Sequence, residues 1–139
     1  MCYMNDDIIM PIKFKTPTFH VIFDAININK ELLNSDEFVF DLVHEIPALV
    51  KMKILSGPNM VRDYDKENPG ISCFAIIDFS HISIHTFTKT QEALIDVFSC
   101  KKFDAEEIKK YLMKKLKINE KEVYCMIVKY PWERGDETV

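Results

Sequence analysis

Five side chains stand out by type and spacing: Ser80, His81, Ser83, His85 and, twenty residues after the first of them, Cys100. The run Ser80 to Phe87 (SHISIHTF) alternates strictly, so a strand would carry Ile82 and Ile84 on one face and His81, Ser83 and His85 on the other. If Cys100 ends the next antiparallel strand, it returns to the Ser80 end of that face. A hydroxyl, an imidazole base and a thiol would then share one small space. Four readings fit this spacing. His81 and His85 could serve zinc, but a third ligand at suitable spacing is missing. A Ser–His hydrolase would need an oxyanion hole, and no Gly-x-Ser-x-Gly elbow occurs. The face could be a structural polar surface. The fourth reading is some other Ser/His/Cys chemistry, and spacing alone leaves all four open.

Periodicity gives the elements that must hold these residues. Residues 1–17 read as a lead-in broken by Pro11 and Pro17. Thr18 to Asp24 reads as a first strand, and Asn27 to Asn34 as a polar connection. Ser35 can cap a helix with Phe38, Leu42 and Ile46 on one face, which Pro47 should end or kink. Met52 to Leu55 predicts a strand, Gly57-Pro58-Asn59 a turn, and Met60 to Tyr64 a resumed strand, before a loop over 65–70. Ile71 to Phe79 is nearly continuous apolar β-former, which predicts a buried strand. After Ser80 to Phe87 come a polar turn to Glu92, a strand from Leu94 to Cys100, and a helix capped by Asp104 with the stripe Ile108, Leu112 and Leu116. Val123 to Val128 is a last strand and 131–139 a polar tail. One domain over 18–130 is expected. Its class is α+β: two βα-type halves sharing a largely antiparallel sheet, with helices on one face.

Composition narrows the function. The 139 residues are 47% hydrophobic and 29% charged, a globular balance, and the net charge of −4 disfavours a nucleic-acid surface. The basic residues of the helix after Asp104 read as a solvated face. With three glycines and no phosphate-loop pattern, nucleotide-cradle chemistry is disfavoured. No apolar run reaches the roughly 20 residues of a membrane span, and the opening residues, with Asp6 and Asp7, lack the pattern of a secretory signal. Cys2, Cys73, Cys100 and Cys125 have neither metal-ligand spacing nor a secretory context, so reduced thiols in a cytosolic protein are expected. Cys73 reads as core packing, and His20 and His44 read as structural, with a site role for His20 held as the lesser alternative.

Three runs carry a family resemblance: Gly70-Ile71-Ser72, then Ser80-His81-Ile82-Ser83-Ile84-His85-Thr86-Phe87, then Ala93-Leu94-Ile95-Asp96-Val97-Phe98-Ser99-Cys100. Together they resemble the prokaryotic S-adenosylmethionine decarboxylase proenzymes, closely from Gly70 to Cys100 and more weakly over most of the chain, including Phe19-His20-Val21. The resemblance implies a self-processing, pyruvoyl-dependent carboxy-lyase of polyamine synthesis. Ser80 would attack the Phe79 carbonyl, the chain would part between Phe79 and Ser80, and Ser80 would become the pyruvoyl group that forms a Schiff base with the substrate amine. By matching positions, His85 would be the base for the eliminating step and Ser72 would support processing. Cys100 would be the proton donor to the product carbon, a task that suits a thiol, whose ordinary pKa of about 8.5 is readily tuned. The resemblance also implies a homodimer, an αββα sandwich of processed units, and no metal.

The chain departs from the family pattern at three places. Phe79 stands where the family has Glu. Phe87-Thr88-Lys89-Thr90-Gln91-Glu92 replaces Trp/Phe-Pro-Glu-Tyr-Gly-Tyr, so Lys89 reverses a charge where substrate is expected, with Glu92 as a compensating carboxylate. Lys101 replaces a glycine. Substrate contacts are therefore expected at Phe87, Lys89 and Glu92, with Phe14 and Phe19 as lesser candidates for stacking on adenine. Two alternatives stay in view: a related arginine or ornithine decarboxylase with an altered pocket, and an unprocessed, non-catalytic paralogue that pairs with an active subunit.

Overall fold

The structure, a computed structural model, describes residues 10–134. Six strands form one antiparallel sheet: β2 (Phe19–Ala25), β3 (Ile54–Asp63), β4 (Gly70–Ile77), β5 (Ser80–Phe87), β6 (Glu92–Ser99) and β7 (Val123–Ile127), in the order β3-β4-β5-β6-β2-β7. The expected α+β class is what forms, but the two halves interleave, because β2 of the first half lies between β6 and β7 of the second. Among the described residues no helix is long and apolar enough to cross a membrane.

Alternation along each strand gives the sheet two unlike faces. Val21, Phe23, Ile71, Cys73, Ala75, Ile82, Ile84, Ile95 and Val97 point inward and are buried. They pack under α2 (Asp36–Leu49) through Val39, Leu42, Val43 and Ile46, and under α3 (Ala105–Leu116) through Ile108, Leu112 and Leu116. Both helices start where the sequence predicts: the Ser35 hydroxyl accepts from Phe38 N and the Asp104 carboxylate from Glu106 N. Pro47 falls in the last turn of α2, where its ring ends the helix without breaking it. The helices are also tied to each other, with the Tyr111 hydroxyl donating to the Glu45 carboxylate and Lys115 Nζ 3.1 Å from it.

Some sequence expectations are corrected. The lead-in contains β1 (Met10–Phe14), and the polar tail contains β8 (Trp132–Arg134), which pair in parallel. The polar connection after β2 holds a four-residue helix, α1 (Lys30–Leu33), started by the Asn29 side chain accepting from Glu31 N. Gly57-Pro58-Asn59 is not a turn between two strands. The chain runs on through β3 with its register shifted there, Gly57 sitting at φ 96°. β4 is not buried on both sides either: Phe74 and Ile76 are 40% and 45% exposed on the outer face. Cys2 lies outside the described residues.

Candidate active site

The β4–β5 hairpin carries functional groups at both of its ends. At the tight end, Asp78 and Phe79 turn the chain from Ile77 into Ser80. Asp78 is pinned twice to Lys53, its backbone N donating to Lys53 O at 2.9 Å and its Oδ1 accepting from Lys53 N at 3.0 Å. Ser80 has φ 153°, a conformation that residues with a side chain rarely adopt. β6 returns beside it, with Ser80 opposite Ser99. The backbone N–H of Cys100 then donates to the carbonyl oxygen of Phe79 at 2.9 Å. That donor polarises the carbonyl next to Ser80 and is aimed at the oxygen that would gain charge if the Ser80 hydroxyl attacked.

Buried Ser99 fixes this return. Its hydroxyl donates to Lys101 O at 2.7 Å and accepts from Lys101 N at 2.9 Å. The Lys101 ammonium lies 5.1 Å from the centroid of the Phe79 ring. Two of the three departures from the family pattern thus touch each other, an aromatic ring and a cation in place of a carboxylate and a glycine. A cleft of about 1120 Å3 opens here between β2 and the start of α3, with Phe19, Phe79, Cys100, Phe103 and Cys125 in its walls. Burial pushes the Cys125 thiol above its ordinary range, and does the same to Cys73 in the core.

The other end carries Ser72 and His85, which face each other across β4 and β5 and share a hydrogen bond of 2.7 Å between the hydroxyl and Nδ1. The chain approaches itself very closely here. A Cβ on Gly70 would lie 1.9 Å from Thr86 O, so only glycine fits. Buried Thr86 accepts from Ile71 N and donates to Leu33 O, which ties this end to the core. The sequence expectation of one small space is therefore met in two parts. Ser80 and Cys100 come together, and Ser72 and His85 come together, but His85 lies five residue steps along the strand from Ser80, about 16 Å. His81 and His85, four apart on one strand, are about 13 Å apart by the same rise and cannot ligate one ion.

Phe87, Lys89 and Glu92 lie beyond His85, at the turn into β6. Lys89 Nζ is 3.9 Å from Glu67, and Glu92 accepts from the Thr90 hydroxyl at 3.1 Å. Gln91 takes φ 61°, the left-handed conformation that the family's glycine at that place would adopt freely. Phe14 packs on Trp132 with ring centroids 6.1 Å apart, far in sequence from either group.

On the outer face, between the two ends, lies a group that the sequence reading did not assemble. His20 Nε2 meets Asp96 Oδ2 at 2.6 Å, and His20 Nδ1 meets the Tyr130 hydroxyl at 2.9 Å. His81 Nε2 stands 3.6 Å from Asp96 Oδ1, with its ring stacked on Phe98. The available signal was Asp96 itself, a carboxylate in the middle of the apolar run Ala93 to Phe98. Its partners follow only from the pairing of β2 with β6.

A family profile described as S-adenosylmethionine decarboxylase matches residues 19–126. A Clostridium botulinum (strain Langeland) protein named S-adenosylmethionine decarboxylase proenzyme is 30% identical over 100 residues, 70% of this chain and 82% of the relative. One from the Loch Maree strain, with the same name, is 28% identical over 107 residues, 76% and 88% of the two chains. The crystal structure of the adenosylmethionine decarboxylase from Aquifex aeolicus VF5 is similar in fold, with a TM-score of 0.64 at 20% identity, covering 90% of this chain and 98% of that one. With a profile that spans most of its length and relatives aligned over most of theirs, the chain belongs to the S-adenosylmethionine decarboxylase family.

Proposed function

We propose that this chain is a self-processing proenzyme whose mature form decarboxylates S-adenosylmethionine for spermidine synthesis in the cytosol. The observation that carries the reading is the Cys100 N–H donating to the Phe79 carbonyl beside Ser80 in its rare conformation. Ser80 Oγ attacks the Phe79 carbonyl carbon, the 79–80 C–N bond breaks, and an ester with a free Ser80 amine results. Loss of the Ser80 α-proton then breaks the Cβ–Oγ bond and releases the Phe79 carboxylate. The dehydroalanine left at 80 tautomerises, and water removes its nitrogen as ammonia. A pyruvoyl group remains at residue 80, the start of an α chain 80–139, with residues 1–79 as the β chain. That group supplies the electron sink for loss of CO2. Cys100, adjacent in the cleft, holds the proton for the product carbon.

His85 is the base, acting from a second copy. Its distance from Ser80 along one strand forbids direct proton transfer within the chain. It lies instead on the exposed outer face, in company with Phe74, Leu94, Tyr124 and Met126, which are 40–60% exposed. Apolar side chains on an unpaired sheet face favour burial against a copy of that face. A two-fold pairing that runs the strands in opposite directions carries Ser72 and His85 of one chain over Ser80 and Cys100 of the other, and carries Phe87, Lys89 and Glu92 toward the same substrate. The result is an αββα homodimer.

Intact mass under denaturing conditions, followed by incubation with carboxyl-labelled S-adenosylmethionine, tests the reading. It requires fragments of about 9 and 7 kDa, apportioned by residue count, and release of labelled CO2. A single 16.3 kDa chain would contradict it. Cleavage with CO2 released only from arginine or ornithine would keep the processing and replace the substrate.

A further inference from the structure

Breaking the bond before residue 80 changes what holds that residue. The Asp78-Phe79 turn no longer leads into it. A pyruvoyl group also has neither the backbone N–H nor the hydroxyl that Ser80 had. Residue 80 must nevertheless stay registered on the Cys100 thiol. What remains is the backbone ladder of β5 to β4 and β6 and, among side chains, that of the next residue, His81.

That side chain is held on three sides. Its ring stacks on Phe98 with centroids 5.3 Å apart and planes 11° apart. Phe74 covers it at 5.7 Å. Its Nε2 faces Asp96 Oδ1 at 3.6 Å, and that oxygen is buried without a hydrogen-bond partner. The other Asp96 oxygen is fixed by His20 at 2.6 Å, and His20 by the Tyr130 hydroxyl at 2.9 Å. Two strands, β4 and β6, therefore hold the second residue of the α chain directly, and His20 of β2 with Tyr130 fixes the carboxylate that faces it.

We propose that the His81–Asp96–His20–Tyr130 chain is the anchor of the new α-chain terminus: it clamps residue 81 after cleavage and so keeps the reactive carbonyl of residue 80 on Cys100. These are positioning residues, since none of them touches the reacting atoms. The inference rests on the processing reading above and adds to it a role for side chains that the processing steps do not use. A reduction of Asp96 to a neutral amide leaves the attack of Ser80 intact, because the backbone of Cys100 and the turn at Asp78 set that geometry. It loosens the terminus only once the bond is gone.

The test compares Asp96→Asn, His81→Phe and the double variant with the unaltered protein. His81→Phe keeps the stacked ring and removes the nitrogen. Each variant is expected to appear as two fragments, which also reports that it has folded. Each should lose about 10- to 100-fold in kcat, the scale of a small misplacement of reacting groups, with KM within about threefold. The double variant should fall no further than either single one, because both cut the same link. Exchange of the amides at 82–84 in the processed protein should quicken in step, a readout that needs no substrate. Unchanged kcat and exchange in Asp96→Asn would overturn the anchor alone. An uncleaved Asp96→Asn chain would also overturn it, by placing Asp96 before bond breakage. An uncleaved unaltered protein would overturn the processing reading, and the anchor with it.

Discussion

The two ends of the β4–β5 hairpin are built from different materials. The Ser80 end is made by backbone: a two-residue turn, a serine in a rare conformation, and a Cys100 N–H on the Phe79 carbonyl. The Ser72 end is made by side chains, a hydroxyl and an imidazole joined on the outer face and steadied from below by Gly70 and Thr86. In the proposed mechanism the first end would contain the bond to be broken and the group that polarises it, and the second a base that its own chain cannot use. Bond activation would then be local to one chain, with proton removal offered outward.

Variants can be set against this contrast, starting with the most severe. Ser80→Ala should abolish both cleavage and decarboxylation, leaving one 16.3 kDa chain by mass. Cys100→Ala keeps the backbone donor and removes only the thiol, so it should still cleave while kcat falls by about 10²-fold or more. Loss of cleavage there would mean that the side chain, not the backbone, serves the Ser80 end. Gly70→Ala attacks the other end through sterics alone. Forcing a Cβ against Thr86 O should cost about 3 kcal/mol and about 10 °C in Tm by thermal unfolding. Thr86→Val should cost about 1–2 kcal/mol in denaturant titration, since Ile71 N and Leu33 O lose a buried partner.

The smallest effect belongs to a contact remote from both ends. The Tyr111 hydroxyl, and after it Lys115, hold the Glu45 carboxyl below its usual value of about 4.5. Burial first, and then Glu45, drives the Tyr111 hydroxyl far above its ordinary range. For a lowered carboxyl, stability is present above the unfolded value and is lost as pH falls through the folded one. Tyr111→Phe should therefore cost under about 1 kcal/mol at neutral pH, Glu45 being partly exposed, and the difference from the unaltered protein should shrink below pH ~4. The comparison of the two hairpin ends should not change in this variant.

The parts legible in the sequence are those set by local periodicity. The strict alternation of 80–87 gave the faces of β5, Ser35 and Asp104 gave the helix starts, and the return of Cys100 to Ser80 followed from one short turn. Pairings across long stretches of chain left no such mark. β1 and β8 join residues more than a hundred positions apart. A helix as short as Lys30–Leu33 has no period to detect, and a glycine and proline in β3 read as a turn because the register shift they produce uses the same residues. The Asp96 group needed the register of β2 against β6, which no spacing within either strand contains. The separation of His85 from Ser80 was implicit in the rise of a strand, but residue types alone suggested proximity.

The central claim, that one chain holds the bond and another supplies the base, is tested most directly by mixing two inactive variants. Ser80→Ala has no nucleophile and His85→Ala has no base, so each alone should remain unprocessed. Co-expressed with distinguishable tags, they should form mixed dimers in which the His85→Ala chain, which retains Ser80, is cleaved by the His85 of its partner. Fragments of the His85→Ala chain alone, by intact mass, are the result the account predicts. Mixed dimers that form and leave both chains whole, or a His85→Ala protein that cleaves fully on its own, would contradict it.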